Sequence, residues 1–129
     1  MKTIDVKTRS QEEFINITAE VERAVRDSGI KNGTCLVFVP HSTAGVTINE
    51  NADPDVTEDI LLALKKIVPD ALSWKHSEGN SPAHVKASLV GSSVTVIIES
   101  GRPMLGTWQG IFFCEFDGPR SRRVYIQIS

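Results

Sequence analysis

A single α+β domain is the fold class this chain predicts, with a largely antiparallel or mixed β-sheet, two main helices and one short helix. Three observations predict it. Apolar residues recur with a helical period in some segments and a strand period in others. Helices and strands interleave as far as Gly91, and then a run of strands closes the chain. No repeat, low-complexity tract or linker divides residues 1–129, so one domain with one core is expected.

The elements follow in order. "MKTIDVKT" alternates Ile4, Val6 and Thr8 against charged neighbours, the pattern of a half-exposed strand. "FINI" suggests a second short strand. Thr18 is the expected cap of a first helix whose opening turn carries Glu20 and Glu22. Val21, Ala24, Val25 and Ser28 form its stripe, and Gly29 stops it. "GTCLVFVP" is apolar at both parities and reads as a central strand covered on both faces. Asp53-Pro54 starts the second helix. Ile60, Leu61, Leu64 and Ile67 or Val68 give its buried stripe, and Pro69 ends it. A short third helix fits between Pro82 and Gly91. "SVTVIIE", "TWQGIFFCEF" and "RRVYIQI" are the closing strands.

Composition excludes several functions. The net charge of −2 gives no basic stripe for nucleic acid. No apolar run has the length of a membrane span, and "MKTIDVKTRSQEEF" lacks the apolar stretch of a secretory signal. A cytoplasmic location is the expectation. Cys35 and Cys114 lie in apolar runs and read as buried free thiols. With no CxxC pair, they do not suggest cysteine-ligated zinc.

Three histidines carry the candidate chemistry. His41 opens "HSTAGVTINEN", directly after the apolar strand. If that strand continues, Ser42, Ala44, Val46 and Ile48 keep one face mostly apolar. His41, Thr43, Gly45, Thr47 and Asn49 turn the other polar. Such a strand either lines a wet site or runs out to solvent. Gly45 would allow a bulge or the close approach of a ligand.

The other two lie in "WKHSEGNSPAH". As a strand, "WKHSE" sets Trp74, His76 and Glu78 on one face, where the carboxylate can fix an imidazole tautomer. One helix could not bring His76 and His84 to a shared metal, since eight residues rise about 12 Å. The Gly79-Asn80 break removes that obstacle. Ser81 can cap, Pro82 fits the first helical position, and His84 falls in the first turn. That helix start favours a neutral imidazole and offers N–H groups to an anion. The plainer reading of each histidine is a surface or hydrogen-bonded residue, and their spacing matches no HExxH motif.

"ESGRPMLGTWQG" is Gly-rich. It is either a plain β-connection or an anion loop in which Arg102 clamps a phosphate or carboxylate. Trp108 shares a parity with Phe112, Cys114 and Phe116 and reads as core, while Gln109 points the other way, toward a site. "DGPRSRR" carries Arg120, Arg122 and Arg123, either as a solvated face, an anion clamp or a set of partners for acids on a neighbouring subunit.

Taken together, "HSTAGVTINEN", "HSEGNSPAH", "GTWQG" and "DGPRSRR" resemble the YjbQ-like family of small uncharacterised proteins, across most of the chain. The resemblance implies an α+β homotrimer with sites near subunit boundaries. It implies that His41, His76 and His84 gather in one pocket able in some members to hold a metal, with Glu78, Asn51, Trp108 and Gln109 in the same motifs. Where members often carry acidic residues after Glu78-Gly79, this chain has Asn80-Ser81, so no second metal or acid role is carried over there.

Some members are described as having a secondary thiamine-phosphate synthase activity. That reaction joins a pyrimidine diphosphate to a thiazole phosphate and releases pyrophosphate. Arg102, Lys86, the third helix's N-terminus and a divalent ion would serve the leaving group. The expected catalytic set is His41, His76, His84 and Glu78. The expected substrate contacts are Asn51, Lys86, Arg102 and Gln109. The three histidines are the expected metal ligands, for zinc or, with a diphosphate, magnesium. The expected partner is a phosphorylated or anionic small molecule. The alternatives are a metal-assisted hydrolase using water on a three-histidine site, with Glu78 as base, and a non-enzymatic trimeric anion-binding protein.

Overall fold

Eight strands and three helices follow one another in the computed structural model, which describes residues 1–129. The order is β1 (Lys2–Lys7), β2 (Glu13–Asn16), α1 (Thr18–Ser28), β3 (Gly33–Phe38), β4 (Ala44–Glu50), α2 (Pro54–Ile67), α3 (Ser81–Val90), β5 (Ser93–Glu99), β6 (Arg102–Pro103), β7 (Gln109–Glu115) and β8 (Ser121–Ile128). The α+β class holds, and every strand pairing is antiparallel.

The strands form two sheets. The larger has the order β1-β8-β3-β5-β6 and the smaller β2-β7-β4. Alternate residues of β3, β5 and β8 (Cys35, Val37, Val96, Ile98, Val124 and Ile126) point inward. They meet Val46, Ile111 and Phe113 of the smaller sheet and Val21, Ala24 and Val25 of α1. The other face of the smaller sheet packs Phe112, Cys114 and Phe116 against Ala83 and Ala87 of α3, with Leu61 and Leu64 of α2 alongside.

The doubly covered strand is therefore β7, where Gly110 to Glu115 are all buried. It is not β3, contrary to the sequence expectation. The outer face of the larger sheet has no element over it, so Leu36 and Phe38 each stay 39% exposed. Nor does β3 continue through His41. The chain turns at residues 42–43 and β4 crosses to the other sheet. Gly45 does meet a close approach, but from backbone. A Cβ there would lie 2.5 Å from the Gly91 carbonyl, which accepts from Val46 N–H.

Local signals explain the helix ends. Asp53 accepts from the Asp55 amide and Pro54 opens α2. Gly29 takes the left-handed conformation that ends α1. Thr18 is not the cap of α1. It is the first helical residue, and Asn16 Oδ1 accepts from its N–H, while its own hydroxyl accepts from Ile111 N–H on β7. Ser28 is exposed, and α2 rests only half-buried, with Leu62 and Ile67 facing outward. Trp108 is not core either. It precedes β7 in a turn and is 64% exposed. Both cysteines are buried free thiols, and burial pushes Cys35 up to about 11 and Cys114 higher still.

Candidate functional site

His41 sits in the corner between the sheets. Its Nε2 accepts a hydrogen bond of 2.9 Å from the Arg123 amide. The reason lies in the register. β3 pairs with β8 only as far as Phe38 opposite Tyr125, so the Arg123 amide finds no further strand. The imidazole takes the place of the next strand residue. Burial, and after it the Arg122 guanidinium, holds His41 below its ordinary 6.5, against weaker upward pulls from the Arg123 amide bond and Glu115.

His76 and His84 meet by a different route from the expected one. Residues 71–76 form no strand, so the alternation proposed for "WKHSE" does not apply. The Trp74 indole N–H donates to the Asp70 carbonyl instead. A turn at Ser77–Gly79, with Gly79 at φ 81°, leads to Asn80, the residue before α3. The Asn80 carbonyl accepts from the Ala83 and His84 amides, placing His84 in the first turn. The ring of His76 then stands edge-on to that of His84, with centroids 5.3 Å apart. Glu78 Oε2 lies 3.7 Å from His76 Nε2.

His84 also joins the third histidine. His41, Ser42, Ala44, His84, Ala87, Ser88, Gly91 and Ser92 line one open depression of about 440 Å³. Its polar groups are two imidazoles and three hydroxyls. This is the size and donor content of a small-molecule site.

The residues do not fit a metal held by three histidines of one chain. No three His, Cys, Asp or Glu side chains converge on a common point. A neutral imidazole has one lone pair, and that of His41 is already engaged by Arg123.

The expected substrate contacts lie elsewhere within the chain. Lys86 is sealed behind α3 and pairs with Glu12, away from His84. Arg102 pairs in register with Glu99, six residues along β5 from Ser93. At about 3.3 Å per residue this is about 20 Å from the depression. Gln109 pairs with Glu50, equally far along β4 from Ala44, and its Oε1 accepts from the Gly106 amide. Asn51 lies beside it and donates its N–H to the Trp108 carbonyl. For Arg102 and Gln109 it is the strand register that sets them at the far end of the sheets from the depression within one chain.

The family model described as "UPF0047 protein YjbQ-like" matches residues 2–129. The chain belongs to the YjbQ-like UPF0047 family. It is 53% identical to the UPF0047 protein MJ1081 of Methanocaldococcus jannaschii, over 95% of this chain and 89% of that one. It is 51% identical to the UPF0047 protein YugU of Bacillus subtilis, over 99% of this chain and 98% of that one. Among solved structures, an uncharacterised family protein from Clostridium acetobutylicum is 56% identical, with a TM-score of 0.98 over 100% of both chains. The conserved hypothetical protein TT1486 from Thermus thermophilus is 41% identical, with a TM-score of 0.93 over 100% of both.

In this YjbQ-like chain the histidine corner is braced by residues that sequence reasoning missed. Arg122, expected in a solvated face, an anion clamp or a set of partners for a neighbouring subunit's acids, is buried. Its guanidinium donates to both oxygens of Glu115 and to Thr43 Oγ1. Glu115 also accepts from the Thr8 hydroxyl and the Phe116 and Asp117 amides. Burial alone would raise the Glu115 pKa, but these donors, Arg122 first, hold it below the usual 4.5. Arg120 donates to Asp117 Oδ2, which accepts from Asn80 as well. One signal did point to Glu115: it is a lone charge in the apolar run "IFFCEF", and a buried charge requires a partner.

Proposed function

We propose that the chain binds a phosphorylated small molecule in the depression between His41 and His84, with weak thiamine-phosphate synthase activity as a secondary property of that site. One observation carries the reading. His41, His84, Ser42 and Ser92 line one open volume of ligand size. His76, edge-on to His84, extends the polar wall.

The synthase reaction needs cations for the departing pyrophosphate. Arg102 of the same chain is too far away to serve, so this reading couples to assembly as a homotrimer. Uncovered Leu36, Phe38 and Ile97 on the outer face of the larger sheet support association with further copies. A divalent ion, zinc on imidazoles or magnesium on a diphosphate, likewise requires ligands beyond those one chain brings together. A cytoplasmic setting is proposed on the two buried free thiols. Metal-assisted hydrolysis is the second reading, favoured by the contact of Glu78 with His76.

The test is calorimetric titration with pyrophosphate and with thiazole phosphate, followed by assay of both synthase substrates together. Binding that is lost in His84→Ala supports the site. Binding without product leaves an anion-binding protein. Unchanged binding in His84→Ala rejects the assignment.

A further inference from the structure

We infer that His41 stands outside any metal set and presents a fixed Nδ1–H to the depression, as a hydrogen-bond donor to an anionic oxygen of the ligand. This deepens the reading of the depression as a substrate site and rests on it.

The argument is one of valence. A neutral imidazole has one N–H and one lone pair. Nε2 accepts from the Arg123 amide, so the lone pair is there and the proton is on Nδ1. The doubly protonated ring could not accept that bond. A metal needs the same lone pair, so ligation through either nitrogen would break the bond or remove the second proton. Breaking it would take from the Arg123 amide its one partner within the chain and leave that exposed group to water, where β3 has ended. Backbone thus fixes the tautomer, as a carbonyl or carboxylate does for many ligating histidines, but with the opposite result. Nδ1 has no partner within the chain and is not sealed from solvent. His41 lines the depression with Ser42 and Ser92, whose hydroxyls suit the same kind of acceptor, while the Ser88 hydroxyl already donates to the His84 carbonyl.

The surroundings agree. Burial and the neighbouring Arg122 both disfavour a charged ring. His76 and His84 are under no such constraint, since neither is bonded to backbone through its ring. They remain the imidazoles available to a metal completed from outside the chain.

The test uses the full chain labelled with ¹⁵N at histidine and a long-range ¹H–¹⁵N correlation spectrum at neutral pH, assigned through the His41 backbone so that no variant is needed. His41 should show a protonated Nδ1 and a bare, hydrogen-bonded Nε2. Saturating zinc should leave both nitrogens in place. Inorganic pyrophosphate should shift the Nδ1 proton. In His41→Gln, where an amide oxygen can still accept from Arg123, pyrophosphate affinity should fall by about tenfold or more. Zinc affinity should stay within about twofold. A protonated Nε2, or His41 nitrogens displaced by zinc, overturns the inference. Pyrophosphate that moves His84 but not His41 overturns the donor role and leaves the binding reading standing. Pyrophosphate that moves no histidine removes the binding reading and the donor role with it, while the tautomer and zinc measurements still decide whether the proton is fixed.

Discussion

Arg122 of β8 and Glu115 of β7 form a buried, two-pronged ion pair that ties the larger sheet to the smaller one. The pair closes the corner in which His41 sits, because Arg122 also donates to Thr43 in the turn that carries the chain between sheets. Removing one partner would strand the other charge. Arg122→Ala should therefore destabilise the fold by about 3–5 kcal/mol. Arg122→Met combined with Glu115→Leu should cost less than the single change, although the Asp117 amide loses its acceptor and the Phe116 amide keeps only the Thr43 carbonyl. Urea denaturation of the three proteins measures this. A double variant weaker than Arg122→Ala would show that the bonds from those amides outweigh the ion pair.

Acid should weaken the fold in two steps. His41 is held below its ordinary 6.5 in the fold, so between its folded and unfolded values the unfolded chain binds more protons. Its contribution is fully present above pH 6.5 and declines as pH falls through the depressed folded value. Glu115 and Asp117 are depressed from 4.5 and 3.8. Their contribution is present above those values and is lost at more acidic pH. Stability measured against pH should be flat above neutrality, dip first below 6.5 and fall steeply below 4.5. His41→Gln should abolish the first dip and leave the second.

Lys86 should behave as structure. Its ammonium is buried and its partner Glu12 is partly covered, so Lys86→Ala leaves a carboxylate without its cation beside a polar cavity of about 60 Å³. Solvent reaching Glu12 moderates the loss to about 2–3 kcal/mol. Pyrophosphate affinity should remain within about twofold of the parent. A tenfold loss of affinity with an unchanged denaturation midpoint would return Lys86 to the binding site, where sequence reasoning put it.

How far the sequence could be read follows from the range of each interaction. The Asp53-Pro54 start and the Gly29 stop are local, and local signals placed them correctly; α3 begins one residue earlier than expected, with Asn80 and not Ser81 at the cap position, and His84 still falls near its start. The α+β class followed from element order. Contacts between strands distant in sequence were not legible. Nothing local says that Arg122 turns inward to meet Glu115 and Thr43, or that the apolar strand covered twice is β7 and not β3. For "WKHSE" the local geometry was misread, yet His76 still reached His84. The Gly79-Asn80 break, and not a strand face, makes that contact.

Gly45→Ala links packing to the site. A Cβ at position 45 would sit 2.5 Å from the Gly91 carbonyl and 3.3 Å from Val90 Cγ1. The first distance is to backbone at the end of α3, which cannot rotate away, so β4 and α3 must separate. Overpacking of this kind costs about 1–3 kcal/mol. The Val46 N–H bond to the same carbonyl would stretch as well. Because Gly91 and Ser92 form one wall of the depression and His84 lies on the same helix, the separation should also move His84 away from His41. Gly45→Ala is therefore expected to lower both the melting temperature and the affinity for pyrophosphate. Gly29→Ala serves as the control: a Cβ there meets nothing within 4 Å but is strained by its positive φ, so it should lower stability alone. Calorimetry on the two variants separates the effects, and equal affinities in both would mean that the wall formed by Gly91 plays no part in binding.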